Sequence, residues 1–282
     1  MTKREYAEAI VAIIGGEVVE VEKANGIKLT GITRKSEGSN IAPTVYVDEY
    51  FRDNATVEFA AERLDALIKA NERPDFDTTV FNDFDKAKGR LRARLYNQKT
   101  NTDLYKSAEE YGFPDLIIIP YLFINEIEEG VAGAKVTKAL AINWNVSEEE
   151  IFRIALENSA KETEILSMKE MVLGIMKKDM PDITEDMVEA MLPSDSNPMY
   201  VISNTSKCFG AIGAITEKAK LEKMFPNGYV ILPSSVHEVI VIPIDENASE
   251  SELTNMVNEV NSTQVEIEEQ LADRAYLFRE VA

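Results

Sequence analysis

Hydrophobic and polar positions in the first seventy residues follow two periods, one helical and one extended. From Glu5 to Ile14 the apolar residues fall three and four positions apart, which predicts an amphipathic helix that stops at Gly15-Gly16. Alternating valines then lead through Asn25-Gly26 into a second alternating segment, which predicts a β-hairpin whose turn accepts positive φ. A strand at 44–47 and a helix at 56–70 complete a helix, strands, helix order.

The segment from Phe84 to Tyr96 is basic, whereas most of the chain is acidic. Leu91 and Leu95 lie four positions apart, so the pattern predicts an amphipathic helix with its charges outward. Two interpretations stay open: the basic side neutralises a neighbouring acidic surface, or it contacts a phosphate or an acidic partner. The candidate binding residues are Lys86, Lys88, Arg90, Arg92 and Arg94.

The densest apolar run of the chain, residues 115–123, predicts a buried strand. The glycine-rich residues 130–134 predict a flexible turn, and 139–142 predict a strand that pairs back as the second arm of a hairpin.

Residues 148–189 are predicted to form an acidic helical zone, with twelve acidic and five basic residues. Ser147 with Glu150 has the spacing of a helix N-cap and its reciprocal acid, and Ser167 with Glu170 repeats it.

Two prolines and four small polar residues at 193–198 predict a domain boundary. The sequence beyond it predicts, in order, a strand at 199–203, a helix at 210–224, strands at 229–232 and 239–242, a helix at 250–261 and a last strand at 275–278. The expected fold is therefore α+β, with mixed helices and small antiparallel sheets in two packed lobes. The lobes are residues 1–192, including the acidic helical connector, and residues 199–282.

Composition narrows the classes of function. A formal net charge of −20 disfavours direct nucleic-acid binding, because affinity for a phosphate backbone comes mostly from Lys and Arg. Apolar stretches are too short for the ~18 residues of a spanning helix, so no membrane association is expected. The N-terminus lacks the pattern of a signal peptide, and the lone Cys208 suits a reducing compartment, so we expect a cytoplasmic location.

The densest group of catalytic residue types is Ser234, Ser235, His237 and Glu238, which includes the only histidine. Neighbours in an extended segment point to alternate faces, so Ser235 and His237 share a side while Glu238 points away. A hydrolase that uses Ser234 or Ser235 with His237 is one hypothesis. The other is a turn in which a serine caps backbone groups and the imidazole is hydrogen-bonded at a strand start.

No metal or cofactor is expected. One His and one Cys are too few for zinc, and the carboxylates at Asp179, Asp182, Glu185 and Asp186 lack the ligand order of a calcium loop. The glycines at 210 and 213 lack the lysine pattern of a phosphate-binding loop and are equally explained by helix packing.

Several segments resemble one bacterial family in both sequence and order. They are Met199–Asn204, Gly210–Ile212, Tyr229–Val239, the stretch from Phe76 to Lys88, the helix start at Trp144–Glu150 and the late segment from Val257 to Asp273. Together they are similar to domain of unknown function 5688, and their strand and helix arrangement also resembles domain of unknown function 1444. The resemblance implies a gut-type bacterial or mobile-element origin and an intracellular location, and it carries over no catalytic residues.

Three functions follow as expectations. The first is a non-enzymatic intracellular protein that acts through protein contacts. The second is an acidic, nucleic-acid-mimicking inhibitor of a defence or nuclease system carried by a mobile element, because an acidic face can occupy a basic groove. The third is the hydrolase that uses Ser235 and His237.

Overall fold

The computed structural model describes residues 1–35, 42–71, 77–127, 130–191, 198–244 and 249–279. Its helices are α1 Lys3–Ile14, α2 Asp48–Arg52, α3 Val57–Ala70, α4 Phe84–Ala87, α5 Lys138–Trp144, α6 Glu148–Glu162, α7 Met168–Asp179, α8 Glu185–Met191, α9 Gly213–Thr216, α10 Lys218–Met224 and α11 Glu250–Gln264. Its strands are β1 Glu17–Glu22, β2 Lys28–Thr33, β3 Thr44–Tyr46, β4 Leu91–Asn97, β5 Lys106–Ser107, β6 Leu116–Ile127, β7 Gly130–Lys135, β8 Thr163–Ser167, β9 Tyr200–Asn204, β10 Tyr229–Leu232, β11 Val239–Pro243 and β12 Tyr276–Phe278. In these described ranges all the strand pairs are antiparallel, and helices accompany the small sheets, so the α+β class is confirmed.

The first of two compact units, Met1–Thr79, contains the predicted helix, hairpin, strand and second helix. Its sheet has the order β1-β2-β3, and the turn after β1 places Asn25 at φ 58° and Gly26 at φ 74°, as an Asn-Gly hairpin requires. Its core joins α1 and α3 to the sheet through buried residues, among them Tyr6, Ile10 and Leu64.

The second unit, Val80–Ala282, holds two antiparallel sheets. One runs β4-β6-β5, with β7 also paired to β6, and the other runs β12-β10-β11-β9-β8. Helix α6 connects the two sheets. It packs beside β4 of the first sheet, and its last residue leads directly into β8 of the second.

The predicted boundary at 193–198 differs from the division into units at Thr79 and Val80. Residues 192–197 lie outside the described residues. Strand β8, which precedes them, pairs with β9, which follows them, so one sheet contains strands from both sides of the predicted boundary.

Four local predictions are wrong, and each confuses a strand with another element. Residues 91–97 form β4 rather than the end of a helix, because alternating Leu91, Ala93 and Leu95 are buried in a strand paired with β6. Residues 130–135 form a strand instead of a turn, and the expected second arm at 139–142 lies in α5. The acidic zone is interrupted by β8, whose β-branched Thr163 and Ile165 pair across to β9.

Ser159 on α6 satisfies the free edge of β4. Its hydroxyl accepts a hydrogen bond from the Ala93 amide at 2.9 Å and donates one to the Ala93 carbonyl at 3.4 Å. The side chain therefore takes the place of a neighbouring strand at one residue of the edge.

Within the ranges given above, no helix combines the length and apolarity that a bilayer crossing requires.

Replacing Ser159 by alanine is expected to lower the free energy of unfolding by about 1–3 kcal/mol, because a buried backbone amide loses its acceptor. Urea unfolding would measure the change. The matched control is Ser262→Ala on the exposed side of α11, which we expect to stay within about 0.5 kcal/mol of the parent. Equal effects of the two substitutions would contradict a role for Ser159 at the strand edge.

Candidate functional site

A pocket of about 230 Å³ lies in the second unit, where β4, β6 and β7 approach α6 and the loop after β9. Exposed Thr205 and Ser206 lie at its mouth, and buried Ala93 and Ile212 lie deeper. Its lining consists of Arg92, Ala93, Arg94, Tyr121, Phe123, Val131, Ser159, Glu162, Thr163, Asn204, Thr205, Ser206, Cys208, Phe209 and Ile212.

Arg94 is the charged group at the centre of this lining. Only 8% of the residue is exposed, and its guanidinium carbon lies 3.9 Å from the Tyr121 ring centroid and 3.6 Å from that of Phe209. In the described parts of the chain, no carboxylate forms an ion pair with Arg94. The pocket therefore contains a buried cation whose compensation comes from two aromatic rings and a hydrogen bond with the Tyr121 side chain.

By contrast, the positive charge of Arg92 is neutralised by a carboxylate. Arg92 lies two positions before Arg94 on the same face of β4. Its Nε donates to Glu162 Oε2 at 2.7 Å and its Nη2 donates to Glu162 Oε1, which is the bidentate geometry of a strong arginine–carboxylate pair. Arg92 also donates to the carbonyl of Gly89. The two arginines of β4 thus reach different electrostatic states within one pocket.

The loop after β9 places the Phe209 ring against Arg94, and its backbone is strained in this conformation. Lys207 and Phe209 have φ of 55° and 58°, a left-handed conformation that costs ordinary residues roughly 1–2 kcal/mol. The Asn204 side chain offsets part of this strain by bonding both backbone groups of Cys208, at 3.0 Å from its amide and 2.7 Å from its carbonyl. The loop is therefore locked in the shape that places Phe209 in the lining.

His237 supports Phe209 from behind. Its Nδ1 accepts a hydrogen bond from the Phe209 amide at 3.2 Å, and the two rings lie 4.9 Å apart between centroids. Since Nδ1 is the acceptor, the proton of the neutral imidazole is on Nε2, which faces Glu269 Oε1 at 3.2 Å. The only histidine thus orients a wall of the pocket without lining it.

Tyr121 and Tyr96 extend the aromatic side of the site. Their ring centroids are 6.1 Å apart, and Tyr96 is also 6.3 Å from Phe209. Burial raises the pKa of Tyr121 well above its usual range, and the positive charge of Arg94 opposes that rise. The phenol therefore stays neutral beside the guanidinium at physiological pH.

The predicted Ser-His group lies in a turn where its side chains bond other partners. The Ser235 hydroxyl accepts from the backbone amide of His237 at 3.0 Å, while the two imidazole nitrogens bond the Phe209 amide and the Glu269 carboxylate. Glu238 contributes its backbone carbonyl to the Ser235 amide. Among the described residues, neither imidazole nitrogen is hydrogen-bonded to a serine hydroxyl.

The five basic candidates separate into two groups. Arg92 and Arg94 line the pocket, whereas the other three lie outside its lining. Lys88 pairs with Asp85 at 2.6 Å, Arg90 donates to the carbonyl of Ile124, and Lys86 lies on α4. The prediction of a binding segment therefore identified two lining residues although it assigned them to the wrong element.

The carboxylates from 179 to 186 and the glycines at 210 and 213 were not expected to form a metal or phosphate site. In the described ranges, no group of three or more His, Cys, Asp or Glu side chains is placed to hold a metal, and the side chain of Asp179 lies outside what is described. Gly210 and Gly213 both lie in tightly packed positions. A Cβ at Gly210 would lie 2.5 Å from the Asn204 amide nitrogen, and a Cβ at Gly213 would lie 2.4 Å from the Ile202 side chain.

Sequence reasoning missed Tyr121, Phe209 and Glu162 as members of a site. One signal for the two lining arginines was present, because Arg90, Arg92 and Arg94 recur with a period of two in a segment rich in apolar residues. The aromatic partners come from distant positions and had no local signal.

The model of the Family of unknown function (DUF5688) matches residues 6–280, nearly the whole chain. Comparison with curated proteins found no match, and comparison with solved structures found none.

Proposed function

We propose that this chain, which belongs to the DUF5688 family, is a non-enzymatic binding protein that holds an anionic group of its ligand at Arg94. The observation that carries the proposal is that Arg94, a residue with 8% exposure, lines a pocket and has no carboxylate partner in the described residues.

The energetics of burial support a ligand at this position. Removing a cation from water costs several kcal/mol unless an opposite charge or hydrogen bonds compensate it. Two cation–π contacts return about 2 kcal/mol each in a desolvated setting, and the Tyr121 side chain adds one hydrogen bond to a neutral group, so no opposite charge compensates the cation. A bound anion supplies the missing compensation, and a charge-assisted bond to arginine is the strong form of such a contact.

A binding role fits the remaining lining better than a catalytic one. The acid Glu162 is held by Arg92, the Ser159 hydroxyl is held by the Ala93 backbone, and the Thr163 hydroxyl donates to the Ser159 carbonyl at 3.0 Å. These groups are engaged in the fold, which leaves them poorly placed to exchange protons with a substrate.

The test separates binding from folding at Arg94. We expect Arg94→Met to lose about 10- to 150-fold in affinity for anions, since one charge-assisted contact is worth about 1.5–3 kcal/mol. Its free energy of unfolding should stay within about 1 kcal/mol of the parent or rise, because the substitution also removes a buried charge. Titration of the full chain with benzoate and with inorganic phosphate, followed by side-chain NMR of arginine, would report binding, and urea unfolding would report stability.

Arg153→Gln is the matched control, because Arg153 lies on the exposed side of α6 and pairs with Glu157. It should leave both measurements unchanged. If Arg94→Met instead lost several kcal/mol of stability and the parent bound neither anion, Arg94 would be a structural residue and the proposal would fail.

The acidic inhibitor remains a separate hypothesis that rests on the net charge of −20. A partner held through that charge should dissociate as salt rises, because exposed charges are screened over about 10 Å at 0.1 M salt. Retention of a partner at high salt, together with its loss in Arg94→Met, would favour the pocket.

A further inference from the structure

We infer that the anion bound at Arg94 is a monovalent carboxylate on a compact, largely apolar body. This inference rests on the proposed function and specifies its ligand class. It follows from the charge of the lining, the charge of the chain, and the size and polarity of the pocket.

The lining supplies one uncompensated positive charge. Its charged side chains at neutral pH are Arg92, Arg94 and Glu162, and the first and last of these form a bidentate pair. A ligand with one negative charge therefore neutralises the pocket. A second negative charge would have no cation of its own and would face the Glu162 carboxylate.

The chain as a whole strengthens the preference for a single charge. With a formal net charge of −20, its surface repels anions at long range, and the repulsion grows in proportion to the charge of the ligand. The dianion of phosphate, which coexists with the monoanion near neutral pH, is penalised about twice as strongly as a carboxylate by this field. Carboxylate geometry also matches the planar donor fork of arginine.

The size of the pocket excludes large ligands. A volume of about 230 Å³ lies below the roughly 300–1,000 Å³ of typical cofactor and drug sites, so a nucleotide does not fit inside. The half-buried side chains of Phe123 and Val131, together with buried Ile212, offer apolar surface to the part of the ligand that follows its carboxylate. An acid of about the size of benzoate meets both conditions.

The carboxylate has two sources with the same chemistry, a free small acid or the carboxyl terminus of a peptide. The mouth is formed by exposed, polar Thr205 and Ser206, which leaves a path for a chain to continue into solvent. A peptide with a free carboxyl end, its C-terminally amidated form and the free acid therefore form the arms of one experiment.

The experiment measures dissociation constants for the full chain by calorimetry at constant ionic strength, with benzoate, neutral benzamide and inorganic phosphate as probes. We expect benzoate to bind at least 10-fold more tightly than benzamide and than phosphate. Glu162→Gln should shift the ratio of phosphate to benzoate affinity at least 10-fold toward phosphate, because it frees Arg92 and removes the repelling carboxylate. A short peptide ending in phenylalanine that binds only with a free carboxyl end supports the inference and identifies a peptide source, while binding of benzoate without the peptide supports it and identifies a free acid.

Three failures are distinguishable. Tighter binding of phosphate than of benzoate to the parent, abolished in Arg94→Met, would overturn the carboxylate inference and leave the anion-binding function intact. If no probe bound the parent, the proposed function itself would fall. Suppose that benzoate bound the parent but the ratio of phosphate to benzoate affinity were the same in Glu162→Gln. The charge argument would then be wrong, because the Arg92–Glu162 pair would have no effect on which anion the pocket binds.

Discussion

Raising the pH from 9 to 11 is expected to lower the free energy of unfolding by about 4 kcal/mol, through three buried tyrosines of the second unit. Burial raises the pKa of Tyr121, Tyr229 and Tyr276 far above the ordinary value, and for Tyr276 the adjacent Asp115 carboxylate adds to the rise. Above pH 10 the unfolded chain loses these protons while the folded chain keeps them. Each tyrosine therefore lowers stability by about 1.4 kcal/mol per pH unit as the pH rises through that range, and has no such effect below it.

Denaturant unfolding at pH 8.5, 10 and 11 measures this decline, and tyrosinate absorbance shows whether the phenols ionise with unfolding. Tyr229→Phe is the sharpest variant, because its buried hydroxyl has no hydrogen-bond partner in the described residues. It should keep the stability of the parent at pH 8.5 and reduce the alkaline slope by about one third. A folded protein in which all the tyrosines titrate near pH 10 would contradict the burial.

Gly210→Ala is expected to cost at least about 3 kcal/mol of stability. Its Cβ would lie 2.5 Å from the amide nitrogen of Asn204 and 2.6 Å from two backbone atoms of Ser203. Backbone atoms of a paired strand cannot turn aside as a side chain does, so β9 and the loop beside it must separate. The Gly210 amide also donates to the His237 carbonyl at 2.9 Å, and this bond would be strained by the same movement.

Gly174→Ala is the matched control, with the opposite sign. Gly174 lies exposed in α7, and a Cβ there meets nothing within 4 Å, so alanine should stabilise the helix by about 0.5–1 kcal/mol. Thermal and urea unfolding of both variants give the comparison. A cost below about 1 kcal/mol for Gly210→Ala would mean that the loop after β9 lies further from Ser203 than described.

Elements with a strong local signal were predictable from the sequence. The capping box of Ser167 and Glu170 is present, with the Ser167 hydroxyl accepting from the Glu170 amide at 3.2 Å, and the Asn-Gly turn forms as its positive-φ preference requires. The element at 91–97 was mistaken for a helix because Leu91 and Leu95 fit both a four-residue and a two-residue spacing. The residues form a strand because they pair with β6, and the spacing of apolar residues along the sequence does not show that pairing.

The candidate site was predictable only in part, for a physical reason. Arg92 and Arg94 were recognisable as charges, but their partners were not. The charge of Arg92 is neutralised by Glu162, which lies seventy positions away on α6. The charge of Arg94 faces aromatic rings from β6 and from the loop after β9. His237 drew attention through its chemistry, while its position depends on the Phe209 amide, twenty-eight positions earlier. Contacts across such separations follow from the fold rather than from local pattern.

Phe209 shows how local backbone strain and side-chain contacts oppose each other in this loop. A glycine at that position would release the left-handed strain of φ 58°, which is worth about 1–2 kcal/mol. It would also remove one of the two rings that flank the guanidinium and the ring that packs on His237. The backbone of this loop is therefore held in an unfavourable conformation by the contacts that its aromatic side chain makes.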